Sequence, residues 1–163
     1  MSTPQQPPEK PKSLDSPVTG AIIKWMSRAN TWIFKITGGR VGGKWRLGTK
    51  HFGEVPDVGI LTTIGCKTGR PRESPLLFLR EGDRVILVAS QGGRATNPMW
   101  YGNLKANPSV SFRIRNDVLA LRARDATAAE RAGYWPKLEA MYPDFANYRA
   151  WAGREIPIVI CEP

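Results

Sequence analysis

The chain has 163 residues, 41% of them hydrophobic, and a net charge of +10. That length suits one domain with a sizeable core. No apolar run approaches the ~20 residues that cross a bilayer, and Met1–Pro8 lacks the apolar core of a signal peptide. The expectation is an unexported, cytoplasmic protein. One histidine, His51, and two cysteines, Cys66 and Cys161, provide no metal-ligand cluster, disulfide framework or Ser-His-Asp triad. The chemistry is therefore expected to belong to an organic cofactor, with no metal.

The charge is uneven. Seven basic residues and no acid lie between Lys24 and Lys50, a pattern that suits nucleic acid, an anionic membrane or a polyanionic cofactor. Residues 1–15, rich in Pro, Gln, Lys and Ser, are expected to be a disordered tail. A single domain over 16–163 is expected to follow. Ser16 and Pro17 read as the cap and first position of an amphipathic helix over 17–36. That helix either packs on its own domain or lies on a membrane surface. Residues 38–57, with six glycines, read as a loop.

Strands are predicted at Val58–Ile64, Pro75–Leu79, Val85–Ala89, Val110–Ile114, Val118–Ala123 and Pro157–Cys161. Tight turns at Glu81-Gly82-Asp83 and about Asn116-Asp117 join two pairs of them into hairpins. Polar residues alternate with apolar ones through Ser111, Arg113 and Arg115, and again through Arg122 and Arg124, which marks a sheet with one wet face. Asn97-Pro98 is expected to start a helix to Ala106. Thr127 and Glu130 form a capping box for another that runs to Met141, with a kink or break at Pro136. A last helix is predicted over Phe145–Ala152. Hairpins with helices between and after them suggest an antiparallel barrel with peripheral helices, an α+β fold.

Three segments can carry chemistry. Gly65–Arg72 places Lys67, Arg70 and Arg72 on a short turn, a cluster suited to phosphate or carboxylate. It lacks P-loop spacing, and taken alone it reads first as an ordinary charged turn. Ser90-Gln91-Gly92-Gly93 can form a backbone nest for an anion, close to the helix start at Asn97-Pro98. Tyr142, Phe145 and Tyr148 recur at three-residue spacing, and Met99, Trp100 and Tyr101 cluster at the short helix. Such aromatics serve either a core or the wall of a planar-ligand pocket.

The order of the segments Lys24–Arg28, Leu61–Gly65, Lys67–Arg72, Pro75-Leu76, Val88–Ser90, Gly92-Gly93, Asn97–Tyr101, Asn103–Pro108, Ala123–Thr127, Tyr134–Pro136, Met141–Pro143 and Ile156–Val159 resembles the deazaflavin-dependent nitroreductase and quinone reductase family. The resemblance covers about residues 17–163. It implies a split β-barrel of the FMN-binding type with an N-terminal amphipathic helix. It also implies coenzyme F420, which carries a phospholactyl tail with glutamates, and hydride transfer to a quinone-like or nitroaromatic acceptor. By family position the cofactor contacts are Thr62, Lys67, Thr68, Gly69, Arg70, Pro71, Arg72, Ser74, Pro75, Ala89, Ser90, Gln91, Gly92, Gly93, Pro98, Met99 and Trp100. The implied catalytic residues are Ser90, Tyr142 and Tyr148, and the implied acceptor pocket adds Trp32, Leu77 and Phe145. Trp25 and Trp32 can form a lid over that pocket. Peripheral membrane contact is implied as well.

The chain departs from the family pattern at Gln91, where a lysine is typical. It departs again at Leu77 and Phe145, where the prodrug-activating member has tyrosines. These changes predict quinone reduction in preference to nitroimidazole reduction. Two other readings remain open: an FMN or haem protein on the same barrel, and a non-enzymatic basic module that binds membrane or nucleic acid. No nucleic-acid motif is present, so none is expected as a partner.

Overall fold

The structure, a computed structural model, describes residues 8–37 and 57–163. The expected glycine-rich loop, with His51, falls almost wholly outside them. The described strands are β1 (Val58–Ile64), β2 (Pro71–Leu77), β3 (Leu79–Glu81), β4 (Arg84–Val88), β5 (Ser109–Ile114), β6 (Asp117–Asp125) and β7 (Ile158–Glu162). They form one sheet in the order β2-β1-β5-β6-β7-β4-β3, and every pairing is antiparallel. β2 and β3 lie at opposite ends of that order, yet only Phe78 separates them in the chain. Two residues span at most about 7 Å, so the sheet must curl until its two ends meet. The result is the expected split barrel.

Closure explains where the sequence expectation for 75–79 differs from the structure. The predicted single strand is two, one at each end of the sheet, with a corner at Phe78. The Phe78 ring is buried and meets Phe112 edge-on, with centroids 5.1 Å apart. Burying that ring holds the corner inside the barrel. β2 also starts earlier than expected, so Pro71 and Arg72 belong to a strand paired with Ile64 and Thr63. The turn between β3 and β4 is Gly82-Asp83, with Gly82 at φ 62°. The β5–β6 turn sits at Arg115-Asn116, one residue earlier than expected, and Arg115 takes φ 53°.

The helices are α1 (Pro17–Thr37), α2 (Met99–Ala106), α3 (Ala128–Met141) and α4 (Asp144–Ala152). Ser16 Oγ accepts the Thr19 N–H at 3.1 Å, the cap that starts α1. The capping box of α3 is present in both directions, with Thr127 N–H donating to Glu130 at 2.8 Å and Glu130 N–H to Thr127 Oγ1 at 3.3 Å. α3 continues across Pro136 without the expected break. Pro98, not Asn97, is the cap residue of α2, and no side chain caps that end.

Two cores result. Leu61, Leu87, Phe112, Leu121 and Val159 fill the barrel, and Trp100 and Leu104 of α2 close one end. Ile86, Ile158 and Ile160 on the outer face of β4 and β7 are covered by Tyr134, Leu138, Tyr142 and Phe145 of the α3–α4 region. The alternation of the strands, which sends neighbouring side chains to opposite faces, supplies both. α1 packs beside β2 and leaves Val18, Ile22, Trp25, Trp32 and Ile33 exposed along one line. Of the expected tail, residues 1–7 lie outside the described residues. Residues 8–15 touch the barrel: Trp151 Nε1 donates to the Pro8 carbonyl at 2.5 Å, and the Ala95 N–H donates to Asp15 at 3.2 Å.

Candidate functional site

Strand directions bring the two glycine-containing segments together. β1 and β4 are separated in the sheet by three strands, each antiparallel to the next. β1 and β4 therefore point the same way, and their C-terminal ends open on one rim of the barrel. β6 ends on that rim too. Its last residue, Asp125, accepts from Tyr101 Oη at 3.1 Å and Lys105 Nζ at 2.6 Å, which fixes α2 across the rim.

The first segment is the turn after β1. Gly65 N–H donates to the Arg70 carbonyl at 2.9 Å, and Thr68 and Gly69 donate back to the Gly65 carbonyl at 3.1 and 2.8 Å. Gly69 takes φ 65°, open to glycine at no steric cost. Lys67, Arg70 and Arg72 are exposed. Arg72 donates to Thr68 Oγ1 at 3.2 Å, and among the described residues no carboxylate forms a salt bridge with any of the three. Three cations thus cluster on this small turn and the first residues of β2, with no salt-bridge partner among the described residues.

The second segment follows β4. Ser90 is in the right-handed region at φ −73° and ψ −35°, and Gln91, Gly92 and Gly93 all take positive φ, at 49°, 66° and 81°. A right-handed residue followed by left-handed ones turns successive N–H groups into a concave nest. Gly93 N–H closes the turn onto the Ser90 carbonyl at 3.0 Å. The N–H groups of Ser90, Gln91 and Gly92 donate to no described group. Ser90 is buried at the foot of the nest. The Gln91 amide faces its own loop, where its oxygen accepts from Thr96 Oγ1 at 3.4 Å and, with the amide turned over, its nitrogen would reach the Thr96 and Asn97 carbonyls, so the side chain brings neither charge nor reach to the site. A Cβ on Gly93 would sit 3.0 Å from the Tyr148 Cα, which shows how closely this turn packs on α4.

The aromatic residues are placed unequally. Tyr142 and Phe145 are 1% and 4% exposed and belong to the outer core. Their rings meet edge-on at 5.1 Å. Tyr148 is half-buried, and its hydroxyl lies 3.2 Å from that of Tyr142. Burial, the largest influence, raises the Tyr148 pKa above the ordinary tyrosine value. Leu77 packs at the margin of the same core. Trp32 is 67% exposed and Trp25 73%, so neither is folded over the aromatic cluster. Trp100 is buried in the barrel end while Met99 is exposed and Pro98 half-buried beside it. Ala89 lies in the barrel core, and its backbone is the part that meets the nest. Thr62, Ser74 and Pro75 are half-buried within the β1–β2 pair, below the rim.

Two residues at this rim have no place among the sequence candidates. Asn103 is buried, accepts the Cys66 N–H at 3.0 Å and donates to Thr63 Oγ1 at 3.1 Å. It ties the basic turn to α2. Arg154, after α4, donates to four backbone carbonyls of the Ala89–Thr96 segment and to that of its neighbour Glu155. Both act across 37 or more residues of sequence, and only the Asn-Leu-Lys-Ala-Asn-Pro segment around Asn103 gave any signal.

The sequence profile of the F420H(2)-dependent quinone reductases matches residues 25–163. A Mycobacterium tuberculosis protein named F420H(2)-dependent quinone reductase is 33% identical over 122 residues, spanning 73% of this chain and 81% of that one. A second, named provisionally for the same activity, is 38% identical over 118 residues, 72% of this chain and 98% of that protein. Among solved structures, an F420-H2 dependent reductase is 38% identical with a TM-score of 0.61, over 64% of this chain and 93% of that one. Another, described as a domain-swapped dimer, is 34% identical with a TM-score of 0.63, over 85% of this chain and 98% of that one.

Proposed function

Because the chain belongs to the F420H(2)-dependent quinone reductase family, we propose that it is an F420H2-dependent reductase that uses coenzyme F420 and passes a hydride to a quinone. The observation that carries this reading is the rim: among the described residues, three cations without a salt bridge at the turn after β1 and the head of β2, and three unspent N–H groups after β4. A phosphate followed by glutamates is a polyanion of that shape. Lys67, Arg70 and Arg72 hold the acidic tail, and the Ser90–Gly92 nest holds the phosphate. Pro98–Trp100 and the Ser90 side border the ring. Reduced F420, when bound, supplies the hydride from the ring carbon that stands where flavin has N5.

The chain's own residues orient the acceptor and steady its oxygen. Tyr148, kept protonated by burial, is a hydrogen-bond donor at the edge of the aromatic cluster. Tyr142 lies deeper and holds the Tyr148 hydroxyl from behind. Ser90 offers a second hydroxyl. Donors aimed at an oxygen that gains charge favour the transition state over the ground state. Leu77 and Phe145 bring no hydroxyl, so quinones are reduced faster than nitroaromatics such as nitroimidazoles. Equal or faster turnover of a nitroimidazole rejects that preference.

Equilibrium binding of F420, followed by tryptophan fluorescence with FMN in parallel, tests the cofactor assignment. Saturable F420 binding that weakens in K67A and R72A supports it. Tight FMN binding without F420 affinity moves the flavin reading to the front.

A second reading concerns α1. No described helix is long and apolar enough to cross a membrane, but Val18, Ile22, Trp25, Trp32 and Ile33 are exposed on one helix in a strongly basic chain. We propose that this face rests on the anionic inner surface of the cell membrane. Co-sedimentation with phosphatidylglycerol vesicles that falls in W25A/W32A supports it. Equal recovery with neutral and anionic vesicles, or with neither, refutes it.

A further inference from the structure

Arg154 stands at a place prepared for it. α4 ends at Gly153, which takes φ 62° and ψ 15°, and this left-handed step turns the chain back over the rim. The guanidinium then reaches the loop after β4. Nη2 donates to the carbonyls of Ala89 at 3.0 Å, Ser90 at 3.4 Å and Thr96 at 3.0 Å. Nε donates to the Arg94 carbonyl at 3.2 Å, and Nη1 to the Glu155 carbonyl at 3.1 Å. Among the described residues no carboxylate pairs with it. Its charge is spent on peptide dipoles alone.

A trans peptide is planar, with its C=O and N–H pointing in opposite directions. A cation that gathers the Ala89 and Ser90 carbonyls on one side therefore sends the Ser90 and Gln91 N–H groups out on the other. Those are two of the N–H groups that find no partner among the described residues. We infer that Arg154 is a positioning residue for the anion site, holding the Ser90–Thr96 loop by its carbonyls so that the Ser90 and Gln91 N–H groups meet the cofactor's phosphate. The inference rests on the cofactor reading above and deepens it. The loop gains through its backbone the positive character that Gln91 does not supply. Only arginine offers five donors in a fixed fork; lysine offers three on one atom.

The test uses R154M and R154K with three probes: F420, the same deazaflavin without its phospholactyl-glutamate tail, and inorganic phosphate. R154M is expected to bind F420 about tenfold more weakly, the loss of one charge-assisted contact set, while the tail-less deazaflavin binds as before. R154K is expected to recover part of the loss. In amide NMR of the cofactor-free protein, phosphate is expected to shift the Ser90 and Gln91 signals in the wild type and not in R154M. If R154M fails to fold, R154K carries the comparison, with the β-strand amides as the check that the barrel is intact. Unchanged F420 binding in the variants overturns the inference, as does equal loss of the tail-less deazaflavin. So does a wild type whose Ser90 and Gln91 amides ignore phosphate. If the wild type shows the phosphate shift but no F420 binding, the cofactor reading falls and the role of Arg154 stands.

Discussion

The turn after β1 and the turn after β4 open on the same rim and carry positive charge in different ways. The first displays it on side chains: Lys67, Arg70 and Arg72 are exposed to solvent. The second holds it in the backbone, with a buried Ser90, positive φ at Gln91, Gly92 and Gly93, and a cation behind the loop. Exposed cations attract at a distance and are screened by salt, whereas fixed N–H groups act only at contact and are screened less. On the proposed reading, the first turn would recruit a charged tail and the second would fix one phosphate in place.

Removing the charges of the first turn is expected to have the largest effect. K67A/R72A should weaken F420 binding about a hundredfold at low ionic strength and flatten its salt dependence, with the tail-less deazaflavin unaffected. Titrations at two salt concentrations check this, and an unchanged salt slope would assign recruitment elsewhere. Cutting the link between the basic turn and α2 comes next. N103A strands the Cys66 N–H and Thr63 Oγ1 and should cost about 2 kcal/mol of stability, read as a lower denaturant midpoint. A midpoint equal to that of the wild type would mean that α2 does not hold the basic turn.

A smaller effect is expected at the acceptor. Y148F should lower kcat for quinone about tenfold with F420 affinity unchanged. A change in KM alone would make Tyr148 a packing group. The smallest effect lies away from the rim. Arg124 holds Glu130 down to about pKa 2 from an ordinary 4.5, chiefly through hydrogen bonds at 2.9 Å. A carboxylate depressed in the folded state adds stability that is present above pH 4.5 and lost as pH falls toward 2. E130Q should therefore flatten stability against pH within that window and leave cofactor affinity alone. An unchanged pH profile would assign acid sensitivity to other carboxylates.

Short-range chemistry was legible in the sequence. The Ser16 and Thr127 caps, the Gly82-Asp83 turn and most strand centres depend on neighbours within a few residues, and they stand where expected. The basic turn and the glycine pair were legible as candidate anion sites for the same reason. The corner at Phe78 was not, because a strand that changes partners midway looks in sequence like one strand. Tyr142 and Phe145 read by spacing more readily as core than as pocket, and their burial against β4 and β7 agrees with the core reading. Asn103 and Arg154 were missed because the groups they hold lie 37 to 65 residues away, and nothing local marks an arginine that will meet carbonyls rather than acids.

The strand order has a consequence for solubility. A barrel that is split has two outer strands with hydrogen-bonding groups to offer, β2 and β3, and an unguarded sheet edge is where chains aggregate. β2 carries Pro71 and Pro75, which have no N–H to donate, with Arg72 and Glu73 between them; β3 is three residues long and bears Arg80 and Glu81. Neither presents a long apolar edge to a neighbouring molecule. The residues at the head of β2 thus combine two features: Arg72 adds its charge beside the basic turn, and its proline neighbours discourage a foreign strand from docking there.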